Sequence, residues 1–131
     1  MSTPREKARH GLLLDGLGNI LDLNAVDWHV RQQNPAASPS EVQNEALEVI
    51  RSLVSDGLVR LGGMAQEKEH SPERFIAWTD PLEHSMHKIS LVYVRHYDDP
   101  ERWMFSVWLQ LTDKGEQLAQ SIEKTDLEGY R

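Results

Sequence analysis

Cysteine is absent from the 131 residues. That absence removes disulfides, thiolate nucleophiles and cysteine-ligated zinc together, and it suits a reducing cytosol, so a cytoplasmic location is expected. Long apolar runs are missing too. The greasiest stretch, GLLLDGLGNILDL, is interrupted by Asp15 and Asp22 and falls short of a bilayer span. Arg5, Lys7 and Arg9 are interspersed with Pro4 and Glu6, and no small-residue cleavage site follows the leucines, so neither a signal peptide nor a membrane partner is expected. Basic charge is scarce: 14 Lys and Arg oppose 21 Asp and Glu, a formal net charge of −7. Three of the bases and one acid lie in the first ten residues, so residues 11–131 carry 11 bases and 20 acids. Such a body repels phosphate backbones and suits solubility or a basic protein partner.

The common catalytic signatures are also lacking. There is no G-x-S-x-G, no glycine loop to cradle phosphate, and no spaced acid pair with a supporting nucleophile. DGLGN is a helix stop and lacks the preceding strand and following helix of a nucleotide fingerprint. His29 and Asp27 could act as a base and its orienter, but residues two apart on a helix do not share a face. His84 and His87 lie one helical turn apart beside Glu83 and could share a metal, yet no third ligand is near and His96 is more than two turns from them. A small-molecule or metal sensor built on the helix of His84 and His87 is a third reading, and an enzyme is the least supported class. The expectation is a non-enzyme without cofactor or metal.

What is present is a set of legible helix starts. In TPRE, Thr3 is a cap, Pro4 the first helical residue and Glu6 the third, predicting a helix to about Gly16. Ile20–Leu23 reads as a very short strand, and Asn24, with Asp27 three residues on, as the cap of a second helix. Ser38, Pro39 and Glu41 repeat the first device. An apolar stripe follows at Val42, Ala46, Val49, Ile50, Leu53 and Val54, and Gly57 is the left-handed stop. LVRLGG reads as a strand, AQEKEHSPER as a loop, and FIAW as a short extended run. Asp80, Pro81 and Glu83 start a fourth helix to about Tyr97. Strict alternation in WMFSVWLQL predicts a strand with Trp103, Phe105, Val107, Leu109 and Leu111 on one side. Thr112 caps a last helix through Ile122, with fraying beyond.

LVSDGLVRLGG followed later by WLQLTDKGEQLAQSIE resembles winged-helix domains of the MarR/PadR-like group, over roughly Ile20 to Ile122. The resemblance implies an α+β, mainly α, winged helix-turn-helix-like domain with a two- to three-stranded antiparallel sheet. One departure is that about forty residues separate the two wing strands: either the wing has a helical insertion or the fourth helix builds a second surface. The chain then divides into an N-terminal helix (1–17), a helix-turn-helix core (20–63), a wing-region insertion (64–102), and a return strand with C-terminal helix (103–124), all in one domain.

If the resemblance extends to function, Ser38, Ser40, Gln43, Asn44 and Arg51 face a DNA major groove. The third helix, however, holds Glu41, Glu45, Glu48 and Asp56 against the single base Arg51, and phosphate contacts need Lys and Arg. Nucleic acid is therefore disfavoured, and a face built from Arg5, Arg9, Arg31, Arg51 and Arg60 would be needed to restore it. The favoured expectation is a protein-interaction module: an adaptor, an immunity or antitoxin-like protein, a regulatory partner, or a homodimer. Glu41, Glu45, Glu48, Trp78, Tyr97 and Trp108 are its candidate partner-facing residues. A transcriptional regulator that binds DNA is the alternative.

Overall fold

In the computed structural model, which describes residues 2–129, the Thr3 hydroxyl accepts the Glu6 amide at 3.1 Å and Pro4 opens α1 (Pro4–Asp15). A two-residue strand, β1 (Leu21–Asp22), leads directly into α2 (Leu23–Gln33). Its cap is Asp22, whose carboxylate accepts the Ala25 amide at 2.9 Å, and not the expected Asn24. Asp22 keeps extended backbone angles as the last strand residue, which places Asn24 inside the first helical turn. Ser38 and Glu41 form a reciprocal capping box at the start of α3 (Pro39–Ser55), and the Ser38 amide holds the Glu41 carboxyl below its usual range.

After α3 the chain reverses at Gly57, whose φ of 74° favours a residue without Cβ, and enters β2 (Val59–Ala65). The first three residues of FIAW belong to a paired strand, β3 (Arg74–Ala77), joined to β2 as a hairpin. The sheet therefore has four strands, more than the two or three expected. Next come α4 (Leu82–Tyr93) and one turn of helix, α5 (Pro100–Trp103). Asp80 makes no cap; its carboxylate binds Lys88 at 2.7 Å, and Pro81 takes the cap position with no side-chain hydrogen bond. α4 also stops one turn short of Tyr97.

The strand expected from Trp103 is shorter than its alternation suggested. Pro100 starts α5, the Ser106 amide and hydroxyl both donate to the Trp103 carbonyl, and only Trp108–Leu111 forms β4. Phe105, assigned to the inner side by alternation, is therefore 58% exposed, whereas Trp103 reaches the core from a helix. The last helix, α6 (Asp113–Glu128), begins at the predicted cap and continues past Ile122.

All strand pairs are antiparallel, in the order β1-β4-β2-β3. β4 thus returns, after the long excursion through β3, α4 and α5, to lie between β1 and β2. Val59, Leu61, Leu109 and Leu111 point to the inner face of the sheet, where the core continues through Leu12 and Leu13 of α1, Val26 and Val30 of α2, and Val49, Ile50 and Leu53 of α3. Fully burying aliphatic side chains of this size contributes about 1.5–3 kcal/mol each. Among the described residues no helix is long and apolar enough to cross a membrane.

One junction joins the two halves of the chain. Thr112 Oγ1 donates to the Gly57 carbonyl at 2.6 Å and accepts the Gly115 amide at 3.0 Å, while the Thr112 amide donates to the Leu58 carbonyl at 3.0 Å. Lys114 Nζ reaches the Asp56 carbonyl at 2.8 Å. Gly115 lies so close to Leu58 that a Cβ would overlap the Leu58 carbonyl. Replacing glycine by alanine inside a helix ordinarily stabilises; here Gly115→Ala is expected to destabilise by roughly 2 kcal/mol through overpacking against backbone, read as a lower urea midpoint at unchanged m-value.

Candidate functional site

The exposed side of α3 is where a base-reading surface would have to form. Ser40 and Asn44 are exposed there, but so are Glu41 and Glu48. Gln43 is 9% exposed and belongs to the packed side, so it faces no groove. Ser38 is committed to its cap. Arg51 pairs with Glu83 of α4 and lies 3.6 Å from Glu48. α4 packs along this flank of α3, leaving between them a cavity of about 300 Å³ lined by Leu47, Arg51, Glu83, Met86, His87 and Ser90.

The other arginines of the required basic face are committed as well. Arg5 forms a forked pair with Glu45, at 2.9 Å from Nε and 2.7 Å from Nη2, and Arg9 binds Asp56 at 2.7 Å. Arg31 binds Asp27 at 2.6 Å. Arg60 differs: it donates to Gln110 and lies over the Phe75 ring, 5.9 Å from its centroid. Four of the five guanidiniums thus face carboxylates, which leaves little net positive field for phosphates. The same geometry occupies Glu45, one of the three glutamates expected to face a partner.

Histidine chemistry is not assembled either. His84 and His87 are exposed, His84 Nδ1 is 4.0 Å from Asp80, and among the described residues no group of three ligand-type side chains could hold a metal. His29 does not meet Asp27. Its Nε2 lies 2.5 Å from Asp15 Oδ2, and its ring packs on Gly11 of α1.

Asp27 instead forms a buried polar cluster. It is 2% exposed, accepts the Tyr93 hydroxyl at 2.5 Å on Oδ2 and Arg31 on Oδ1, and so links α2 to α4. Tyr93 makes edge contacts with Tyr97 and Trp103, and Tyr97 stacks on Trp103 with centroids 5.5 Å apart. The Trp103 indole donates to the Tyr97 carbonyl at 3.1 Å. A cavity of about 310 Å³ opens beside the cluster, lined by Asn24, Asp27, Arg31, Tyr97, Pro100 and Trp103. Both carboxylate oxygens carry donors, so Asp27 cements helices and is not a free base. One signal for it exists in the sequence: Leu23, Val26 and Val30 form the buried stripe of α2, and an acid within that stripe requires a partner.

Of the three candidate aromatics, Trp78 is half-buried beneath the Lys88 ammonium, 3.9 Å above its ring, and Tyr97 is occupied by Trp103. Trp108 lies on the outer face of the sheet. Phe105, which alternation places on the opposite side of the strand from Trp108, stacks on it with centroids 5.6 Å apart and planes within 12°. Strand register extends this face. Trp108 is opposite Asp22 on β1 and Gly62 on β2, and the Phe75 ring lies over Gly62. Met64, opposite Phe75, and Arg60, opposite Gln110, continue it. Among the described residues the result is a partly exposed aromatic sheet face with one base and one acid.

The cluster generates two expectations. Asp27→Ala strands a buried tyrosine hydroxyl and is expected to cost about 3 kcal/mol in urea unfolding, more than Tyr93→Phe. Burial, and then the Asp27 carboxylate, push the Tyr97 hydroxyl up to about 12, and the same causes in the same order raise Tyr93 further. A raised folded-state value stabilises fully below the ordinary tyrosine range near about 10, and that stability is lost as pH climbs through the folded value. Unfolding free energy should therefore fall between about pH 10 and 12, less steeply in Tyr97→Phe, with tyrosinate absorbance followed in parallel.

Comparison of the chain with protein-family models, with curated proteins and with solved structures finds no match in any of the three, so the functional reading rests on this geometry.

Proposed function

We propose that this chain is a non-enzymatic, winged-helix-like module of the cytoplasm that works by binding protein, as an adaptor, an immunity or antitoxin-like protein, or a regulatory partner. The element order supports the fold half of the proposal. α2 followed by α3 has the element order of a helix-turn-helix, β4 between β1 and β2 resembles the return strand of a wing, and on this reading β3, α4 and α5 form an insertion. The observation that carries the functional half is the outer face of the sheet, where Phe105 is 58% exposed on a stacked Trp108. Soluble chains rarely leave stacked aromatics uncovered without a use for them, and aromatics are enriched at the buried centres of interfaces.

DNA-binding regulation is the second reading, and strand order alone favours it, by analogy. The paired arginines and the acidic flank of α3 count against it. The two readings separate in one pair of measurements. Fluorescence anisotropy with duplex DNA at low salt is expected to show no salt-sensitive binding, and Arg51→Ala to change nothing. A photo-reactive residue placed at position 105 in living cells is expected to give a discrete protein adduct, whereas the same probe at His70 gives none. Salt-dependent DNA binding without an adduct from position 105 would exchange the two readings.

A further inference from the structure

We propose that the occupant of this aromatic face is a second copy of the chain, related by a two-fold axis that crosses β4 between Trp108 and Gln110; the proposal rests on the protein-interaction reading above. The first argument is charge. Each copy carries a formal net charge of −7, so two copies repel over most orientations. The outer face of the sheet is an exception, since its side chains contribute one acid, Asp22, and one base, Arg60, around neutral residues.

The second argument is where those two charges sit. Asp22 is on β1 opposite Trp108, while Arg60 is on β2 opposite Gln110, two residues further along β4. They flank β4 diagonally. With strands about 4.8 Å apart and two residues rising about 6.8 Å, their Cα atoms are separated by roughly 12 Å. A two-fold axis in the plane of the face, bisecting that diagonal, lays Asp22 of each copy over Arg60 of the other. Every contact of such an interface is made twice. Asp22 spends Oδ1 on its helix cap, which leaves Oδ2 to accept the guanidinium.

The third argument is shape. The same axis brings the Trp108 ring of one copy against the Phe75 ring that lies over Gly62 in the other, with Phe105 at the margin. The four strands, 17 residues in all, present roughly 280 Å² in projection. That is below the ~800 Å² per partner of a standard interface, so the association is reversible and concentration-dependent.

Sedimentation equilibrium of the full chain is the test, with circular dichroism confirming that each variant is folded. Wild type is expected to pass from monomer to dimer between micromolar and millimolar concentration. Phe105→Lys and Arg60→Asp, both at exposed positions, should weaken the dimer roughly tenfold or more. Asp22→Lys should do the same, with some loss of stability from the missing cap. A mixture of Arg60→Asp with Asp22→Lys is expected to associate again, because each mixed dimer restores two opposite-charge contacts while each variant alone has two like-charge ones. A wild-type monomer at about 1 mM, a dimer indifferent to Phe105→Lys, or a mixture no tighter than its components would each overturn the second copy as occupant. The adduct from position 105 keeps the two failures apart. An adduct with a different protein leaves the face as an interaction surface, and no adduct removes the interaction reading as well.

Discussion

The hydroxyl of Thr112 donates a hydrogen bond to the Gly57 carbonyl and accepts one from the Gly115 amide, so a single side chain closes α3, ends β4 and starts α6. Gly57 turns the chain, Leu58 fills the space beneath the turn, and Gly115 lets α6 rest against the Leu58 carbonyl. Everything downstream depends on this contact, because it fixes β4 beside β2. Only from that position can β4 also pair with β1, whose two residues are too few to hold a place without it. The inner face of the sheet then meets α1, α2 and α3, and the outer face is left open as a consequence.

The excursion between β2 and β4 alters what the framework can do. Its helix α4 lies along α3 and holds Arg51 with Glu83, on the flank where a groove-reading helix would need open side chains. Carboxylates likewise occupy Arg5, Arg9 and Arg31. The pairs on exposed residues contribute little to stability individually. Their larger effect is on the field: positive charge is distributed among acids and no basic stripe forms. On the outer face of the sheet, Phe105 is exposed and stacks on Trp108.

Helix starts were legible in the residues because a cap is a local object. Thr3, Ser38 and Thr112 each bind an amide three residues on, and Gly57 stops α3 where its φ requires. Where two local signals competed, the longer-range one decided. Asn24 lost the cap of α2 to Asp22 because β1 must stay extended to pair with Trp108. Asp80 gave up its cap to hold Lys88 over Trp78. Alternation from Trp103 onward imitated a strand, but Pro100 and Ser106 enforce a turn, and Phe105 moved from the expected interior to the surface. The Asp27–Tyr93 pair joins residues 66 positions apart, and no periodicity encodes which tyrosine a buried acid will meet.

That pair also bears on the modularity of the fold. A long insertion between two strands is usually regarded as an ornament that can be trimmed back to a plain hairpin. Here Tyr93 and Trp103, both within the excursion, are core residues, and Asp27 of α2 relies on the excursion for one of its two donors. Pruning it would leave a carboxylate buried beside an emptied aromatic slot. The excursion and the helices it packs on therefore share one core, and the exposed loop at 66–73 tolerates substitution far better than the excursion that contains it.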